Sequence, residues 1–181
     1  MTITKVTART PILQKDLFTV FEDSIELPNG EKRTYHSVKR SNAITVIPVT
    51  ADNEIYLIKQ YRHMYEKWMF EAVAGMVDSG EDPLTSAQRE LKEEIGIEAK
   101  NWTQLGVTNA AGSVVTWDQY IYLATELTVG IAQLESSEQI ELIKMPFEQA
   151  VEMVMNGEIT ISASIIGILM AQEYLNKQSH V

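Results

Sequence analysis

The chain has 181 residues, 45% apolar and 22% charged, with 15 basic and 25 acidic side chains and a net charge of −10. That is a soluble globular composition, long enough for one good core, and it excludes a disordered tail, a fibre or a membrane bundle. The acidity disfavours a broad nucleic-acid-binding face, and the absence of cysteine excludes disulfides, zinc–thiolate sites and a thiol nucleophile.

The start, MTITKVTART, shows no apolar stretch of secretory type, so a cytoplasmic protein is expected. Residues 17–26 and 32–40 read as two strands around Leu27-Pro28-Asn29-Gly30, because Asn-Gly between strand-like runs signals a hairpin. A second pair, 42–50 and 54–62, surrounds Ala51-Asp52-Asn53, and 70–74 is a short apolar strand ending at Gly75. Asp82 then caps a helix with Pro83 in its first turn, and Leu84, Ala87, Leu91 and Ile95 make one apolar stripe closed by Gly96. Strands follow near 102–110, 117–126 and 139–144, and helices at about 146–156 and 161–176. The uncharged apolar run 159–172 is 14 residues long, which suits a buried helix and is too short to span a bilayer. The expected architecture is α/β, a central mixed sheet flanked by helices. Residues 1–40 form a strand sub-domain that must pack on its own chain or on a second subunit, since a lone hairpin is marginal; residues 41–181 form the main domain.

The charge is uneven. Residues 78–98 hold seven acids and two bases, net −5. On the helix after Asp82, Glu90 and Glu94 lie about 40° apart, with Glu93 about 60° further round. Three like charges on one side oppose helix formation, and a cation offsets them. Carboxylates without thiolate or imidazole select a hard ion such as Mg²⁺ or Mn²⁺. Ahead of the helix, Gly75 and the Gly80-Glu81-Asp82 loop permit close backbone approach.

The segment runs Gly75, five residues, Glu81, seven residues, Arg89-Glu90-Leu91, Lys92, Glu93-Glu94, Ile95, Gly96-Ile97. It resembles the Nudix box, G-x5-E-x7-R-E-U-x-E-E-x-G-U with U apolar, at every defined position. The resemblance implies an α/β/α sandwich around a mixed sheet that hydrolyses a nucleoside diphosphate linked to another group, using two or three Mg²⁺ ions. By that similarity Glu90 and Glu94 are the main metal ligands, with Glu93 and the Ala74 carbonyl contributing. Gly75, Glu81, Arg89 and Gly96 take structural parts in the motif.

Outside the box, Gln60-Tyr61-Arg62, the run Trp68 to Gly75, and the ending with Glu138-Gln139-Ile140-Glu141 are similar to the ADP-ribose pyrophosphatase and nucleoside diphosphate sugar hydrolase branch. The likeness covers about 15–175 and is strong over 54–97. It implies a homodimer in which residues 1–40 exchange contacts, and a nucleoside diphosphate sugar as partner, with no nucleic acid or membrane. ADP-ribose leads as substrate, giving AMP and ribose 5-phosphate; GDP-mannose and ADP-glucose are alternatives. The resemblance makes Arg62, Glu71 and Trp68 substrate contacts, with Tyr61 a second stacking candidate. Glu138 leads as catalytic base, and Glu93, Glu94 and Asp118 remain alternatives. One departure concerns the substrate: Ala111 stands where the branch carries a proline, and Trp117-Asp118 replaces its usual glutamate region. A reading of another class is a non-catalytic nucleotide-sensing module; such modules usually show a broken box, and here no carboxylate is lost.

Overall fold

The computed structural model describes residues 3–109, 112–132 and 139–178. In chain order its strands are β1 (Lys5–Gln14), β2 (Phe18–Glu26), β3 (Lys32–Arg40), β4 (Ala43–Pro48), β5 (Glu54–Arg62), β6 (Lys67–Glu71) and β7 (Val73–Met76). Helix α1 (Pro83–Ile95) follows, then β8 (Ile97–Asn109), β9 (Val115–Thr116), β10 (Asp118–Val129), β11 (Ile140–Pro146), α2 (Phe147–Met155) and α3 (Ser162–Gln178). Contacts divide the chain into two units, Met1–Asn42 with Asn109–Asp118, and Ala43–Thr108 with Gln119–Val181.

The first unit is a sheet in the order β1-β2-β3-β9, antiparallel except for the short β9, which runs parallel to β3. The β2–β3 turn has Gly30 at φ +81°. The Gly30 N–H donates to the Leu27 carbonyl at 2.9 Å, and the Glu31 N–H to Asn29 Oδ1 at 3.0 Å. Strand β1 is an addition to the sequence reading. All ten of its residues are exposed, so it has no buried face, and its Pro11 argues against an interior strand. At a sheet edge that proline is tolerated. The buried polar centre of the unit is Asp23. It accepts from Arg9 Nε at 2.6 Å, Arg9 Nη2 at 3.0 Å and Ser37 Oγ at 2.6 Å. These donors, Arg9 first, hold its carboxyl below the usual carboxylate range.

The second unit carries two sheets, β7-β4-β10-β8 and β11-β5-β6. β10 lies parallel to β4, while β7 on β4, β6 on β5 and β11 on β5 are antiparallel. Its core follows from period two along the strands. Ile44, Val46, Tyr56, Ile58, Tyr122 and Ala124 join Ala87, Leu91 and Ile95 of α1 in one buried cluster. The alternate residues Ile47, Ile55, Leu57 and Leu123 join Phe147, Ala150 and Met153 of α2 and Ile168 and Ala171 of α3 in the other. Helices therefore cover both faces, and the unit is an α/β/α sandwich. Full burial of side chains such as Leu91 contributes about 1.5–3 kcal/mol each, which fixes the rotation of α1 and so the direction of its glutamates.

Helix α1 has the expected limits. Asp82 accepts from the Leu84 and Thr85 N–H groups at 3.0 and 3.4 Å, Pro83 occupies the first turn, and Gly96 ends the helix at φ +68°. Two other segments differ from the sequence reading. The single strand at 70–74 is two strands that change sheets at Ala72. The strand after α1 starts at Ile97 rather than near 102, because Ile97 is fully buried although polar residues follow it.

Removal of the Asp23 carboxylate by Asp23→Ala leaves Arg9 and Ser37 without their shared acceptor. It is expected to lower stability by about 1–2 kcal/mol, Arg9 being half exposed. Because the folded-state pKa is depressed, this contribution is present above the unfolded carboxylate pKa of about 4. It is lost as the pH falls through the depressed folded-state value, so the gap between the urea midpoints of wild type and variant should be widest at pH 7 and shrink as the pH drops below about 4.

Candidate active site

The acidic face of α1 is built around Arg89. Its guanidinium donates to Glu90 Oε1 at 2.7 Å and Glu93 Oε2 at 3.2 Å through Nη1. Through Nη2 it donates to the Met76 carbonyl at 3.2 Å and Glu81 Oε2 at 3.1 Å. One cation thus ties the end of β7, the loop before the helix and two helical carboxylates together. Ser86, fully buried, donates to the same Glu81 oxygen at 2.5 Å. Arg89 and then Ser86 lower the Glu81 pKa, and Glu81 above all raises that of Arg89.

Gly75 explains the placement of Glu90. A β-carbon on Gly75 would stand 2.1 Å from Glu90 Cδ and 2.2 Å from its Oε1. The glutamate carboxyl therefore lies against bare backbone, one residue after Ala74. Glu94 is 6% exposed, and the Glu93 side chain 45%. Burying Glu94 in a turn that already holds two acids raises the cost of its charge. The donor set fits a hard divalent cation: carboxylate oxygens at 90, 93 and 94 beside a glycine step, with no sulfur or imidazole among them. Among the described residues, no three acidic or imidazole side chains converge in ligating geometry.

Arg62 and Glu71 meet in a two-point pair. Arg62 Nε donates to Glu71 Oε1 and Nη2 to Oε2, both at 2.7 Å, and the Glu71 side chain is 3% exposed. Both follow the parity of Ile58, which packs with α1, so they lie on the α1 face of the β5–β6 hairpin. Trp68 pairs with Tyr61 in the register and touches it edge-on, with centroids 5.8 Å apart. These two share the parity of Leu57 and Ala72 and belong to the other face. The structure therefore joins Arg62 with Glu71 and does not bring Trp68 to them. Asp118 belongs to the strand unit, where it accepts from Asn109 Nδ2 at 2.7 Å. Glu138 and Ala111 lie outside the described residues.

Gly130 is a residue the sequence reading passes over. Its N–H donates to the Gly96 carbonyl at 2.7 Å, and a β-carbon on Gly96 would stand 2.5 Å from the Ala132 nitrogen. The end of α1 and the segment after β10 are thus fastened backbone to backbone. The available signal was a glycine directly after an apolar strand.

A family profile described as NUDIX domain matches residues 39–163, and the chain belongs to that family. The ADP-ribose pyrophosphatase of Bacillus subtilis (strain 168) is 30% identical over 178 residues, with 96% of each chain covered. The methanol dehydrogenase activator of Bacillus methanolicus is 32% identical over 157 residues, covering 84% of this chain and 85% of that one. A crystal structure described as an ADP compounds hydrolase has the same fold. It superposes with a TM-score of 0.86 over 100% of this chain and 98% of that one, at 24% identity. Within the family the chain is a pyrophosphohydrolase of the ADP-ribose pyrophosphatase branch.

Gly75→Ala is expected to displace the Glu90 carboxylate, the far end of a flexible side chain, at little cost to folding. Thermal midpoint should change by only about 1–3 °C, while hydrolase activity falls about a hundredfold. An active variant in steady-state assays would dissociate Glu90 from the chemistry.

Proposed function

We propose that the protein hydrolyses the diphosphate bond of a nucleoside diphosphate sugar, with Mg²⁺ as cofactor and ADP-ribose as leading substrate. The observation that carries this reading is the Glu90 carboxylate seated on the Gly75 backbone, with Arg89 as the counter-charge it shares with Glu93, and with Glu94 in the same turn. The ADP-ribose pyrophosphatase relative, matched over nearly its whole length, supports the substrate class.

In this reading Glu90, Glu93, Glu94 and the Ala74 carbonyl hold two or three divalent ions. When bound, such ions neutralise phosphate charge and lower the pKa of water. The remaining work falls to the chain. Glu71 holds the Arg62 guanidinium in a fixed plane, suited to a diphosphate oxygen. Trp68 has an exposed ring, but it lies on the opposite face of that hairpin from Arg62, so it takes no part in holding the same substrate. Glu138 takes the proton of the attacking water. An oxygen–phosphorus bond forms, and the bond from that phosphorus to the bridging oxygen breaks. ADP-ribose then yields AMP and ribose 5-phosphate.

The strand sub-domain, residues 1–40 beside a main domain of 41–181, is proposed to make a homodimer. Exposed Val6, Ile12, Leu13 and Leu17 on and beside β1 support this. Among the described residues no helix is long and apolar enough to cross a membrane, and we place the protein in the cytoplasm.

The test is a panel of ADP-ribose, ADP-glucose, GDP-mannose and nucleoside triphosphates with Mg²⁺, read by mass spectrometry of the products. ADP-ribose should give AMP and ribose 5-phosphate; triphosphate cleavage alone would overturn the substrate class. Glu94→Gln should lower kcat by at least about a thousandfold with the fold intact. Glu138→Gln should lower kcat far more than it changes KM, and near-normal turnover would remove Glu138 as the base. Sedimentation at micromolar concentration should show a dimer.

A further inference from the structure

We infer that Ser164, on the C-terminal helix, is a positioning residue for the catalytic backbone, acting through the N–H of Ala72. The chain leaves one sheet at Glu71, opposite Ile58 of β5, and enters the other at Val73, opposite Val46 of β4. Ala72 sits between the two strands and belongs to neither ladder. It is fully buried, where a backbone donor needs a partner. That partner is Ser164 Oγ, at 3.0 Å from the Ala72 nitrogen and 92 residues further along the chain. Ser164 is itself 2% exposed.

The position of this bond is what gives it a part in the reaction. Glu71, which holds Arg62, immediately precedes Ala72, while Ala74 and Gly75 stand two and three residues beyond it. Alternation turns Ala72 toward α3, and it turns Glu71 and the Gly75–Glu90 contact toward α1. Ser164 therefore fixes the strand from behind while its working groups face forward. A second buried contact reinforces the same place. Thr45 is the register partner of Ala74, and its Oγ1 accepts from Gln119 Nε2 at 2.8 Å. Gly167 lets α3 come this near: a β-carbon there would stand 2.9 Å from Ile47 Cδ1 and 3.4 Å from Thr45 Cγ2. The point where the strand changes sheets thus sets the spacing between the Arg62–Glu71 pair and the Ala74–Gly75–Glu90 ledge. The inference rests on the proposed use of that ledge in cation binding.

The experiment compares Ser164→Ala, Ser164→Thr and Ile168→Val, the last a fully buried position on the same helix that serves as a stability control. Amide hydrogen exchange over residues 68–76 is measured in metal-free protein, Mn²⁺ affinity by electron paramagnetic resonance, and kcat and KM separately. Ser164→Ala should speed exchange over 68–76 at least about tenfold while β10 is unchanged. It should also weaken Mn²⁺ binding and lower kcat about tenfold, with KM within about twofold. Ser164→Thr, which keeps the acceptor, should recover most of the kcat, and Ile168→Val should lose stability without losing kcat. Unchanged exchange in Ser164→Ala would overturn the inference. So would faster exchange with intact Mn²⁺ affinity and kcat, a threonine variant as impaired as alanine, or an equal kcat loss in Ile168→Val. Absence of Mn²⁺ binding by the wild type would fell the cation reading, and the exchange result would still decide whether Ser164 holds the strand.

Discussion

The acidic turn of α1 depends on one guanidinium. Glu90, Glu93 and Glu94 occupy a single turn, and like charges at such spacing destabilise a helix. Arg89 answers this locally, through Glu90 and Glu93, and it also reaches outside the helix to Glu81 and the Met76 carbonyl. Its planar fork makes these contacts at fixed angles, which a lysine ammonium does not reproduce. The same residue that makes the acid cluster tolerable therefore also fixes the loop entering the helix. Capping at Asp82 and the Ser86 bond to Glu81 then set where the first turn begins.

The second constraint is the period of the strands. One strand face packs with α1 and the other with α2 and α3. Between Glu71 and Gly75 that alternation sends an acid forward, an alanine back, a valine forward into the core and a glycine forward under Glu90. No side chain larger than hydrogen fits at the last of these positions without moving the glutamate. Packing in the sandwich and placement of the site are one arrangement seen from two sides.

The motif segment was legible because all its parts lie within 23 residues and two local rules, helical spacing and capping, connect them. Elements that depend on distant partners were not. β1 is exposed along its whole length and carries Pro11, so only its pairing with β2 identifies it. The change of sheets at Ala72 is invisible in an apolar run, since it depends on β4 and β5 offering ladders that end and begin one residue apart. The grouping of Trp68 with Arg62 and Glu71 shows an intermediate case. Tyr61 and Arg62 are neighbours and must face opposite ways, which the sequence contains. That Trp68 stands opposite Tyr61 required the hairpin register.

Charge balance separates the acids that hold the fold from those left for a ligand. Asp23 has one guanidinium and one hydroxyl, and Glu71 has one guanidinium; each of these two buried carboxylates meets a full counter-charge. Around α1 the ratio is different. Arg89 is shared among Glu81, Glu90 and Glu93, with Asp78 at 3.8 Å. One guanidinium shared by three carboxylates is spread thinner than one held at two points by a single carboxylate. In a partly buried setting thinly balanced charge is costly and weakly screened. Extra counter-charge therefore gains more at this turn than at Asp23 or Glu71, where it would have to displace an arginine already held at two points. The net charge of −10 says little about where cations go; the number of acids per base in each buried cluster says much more.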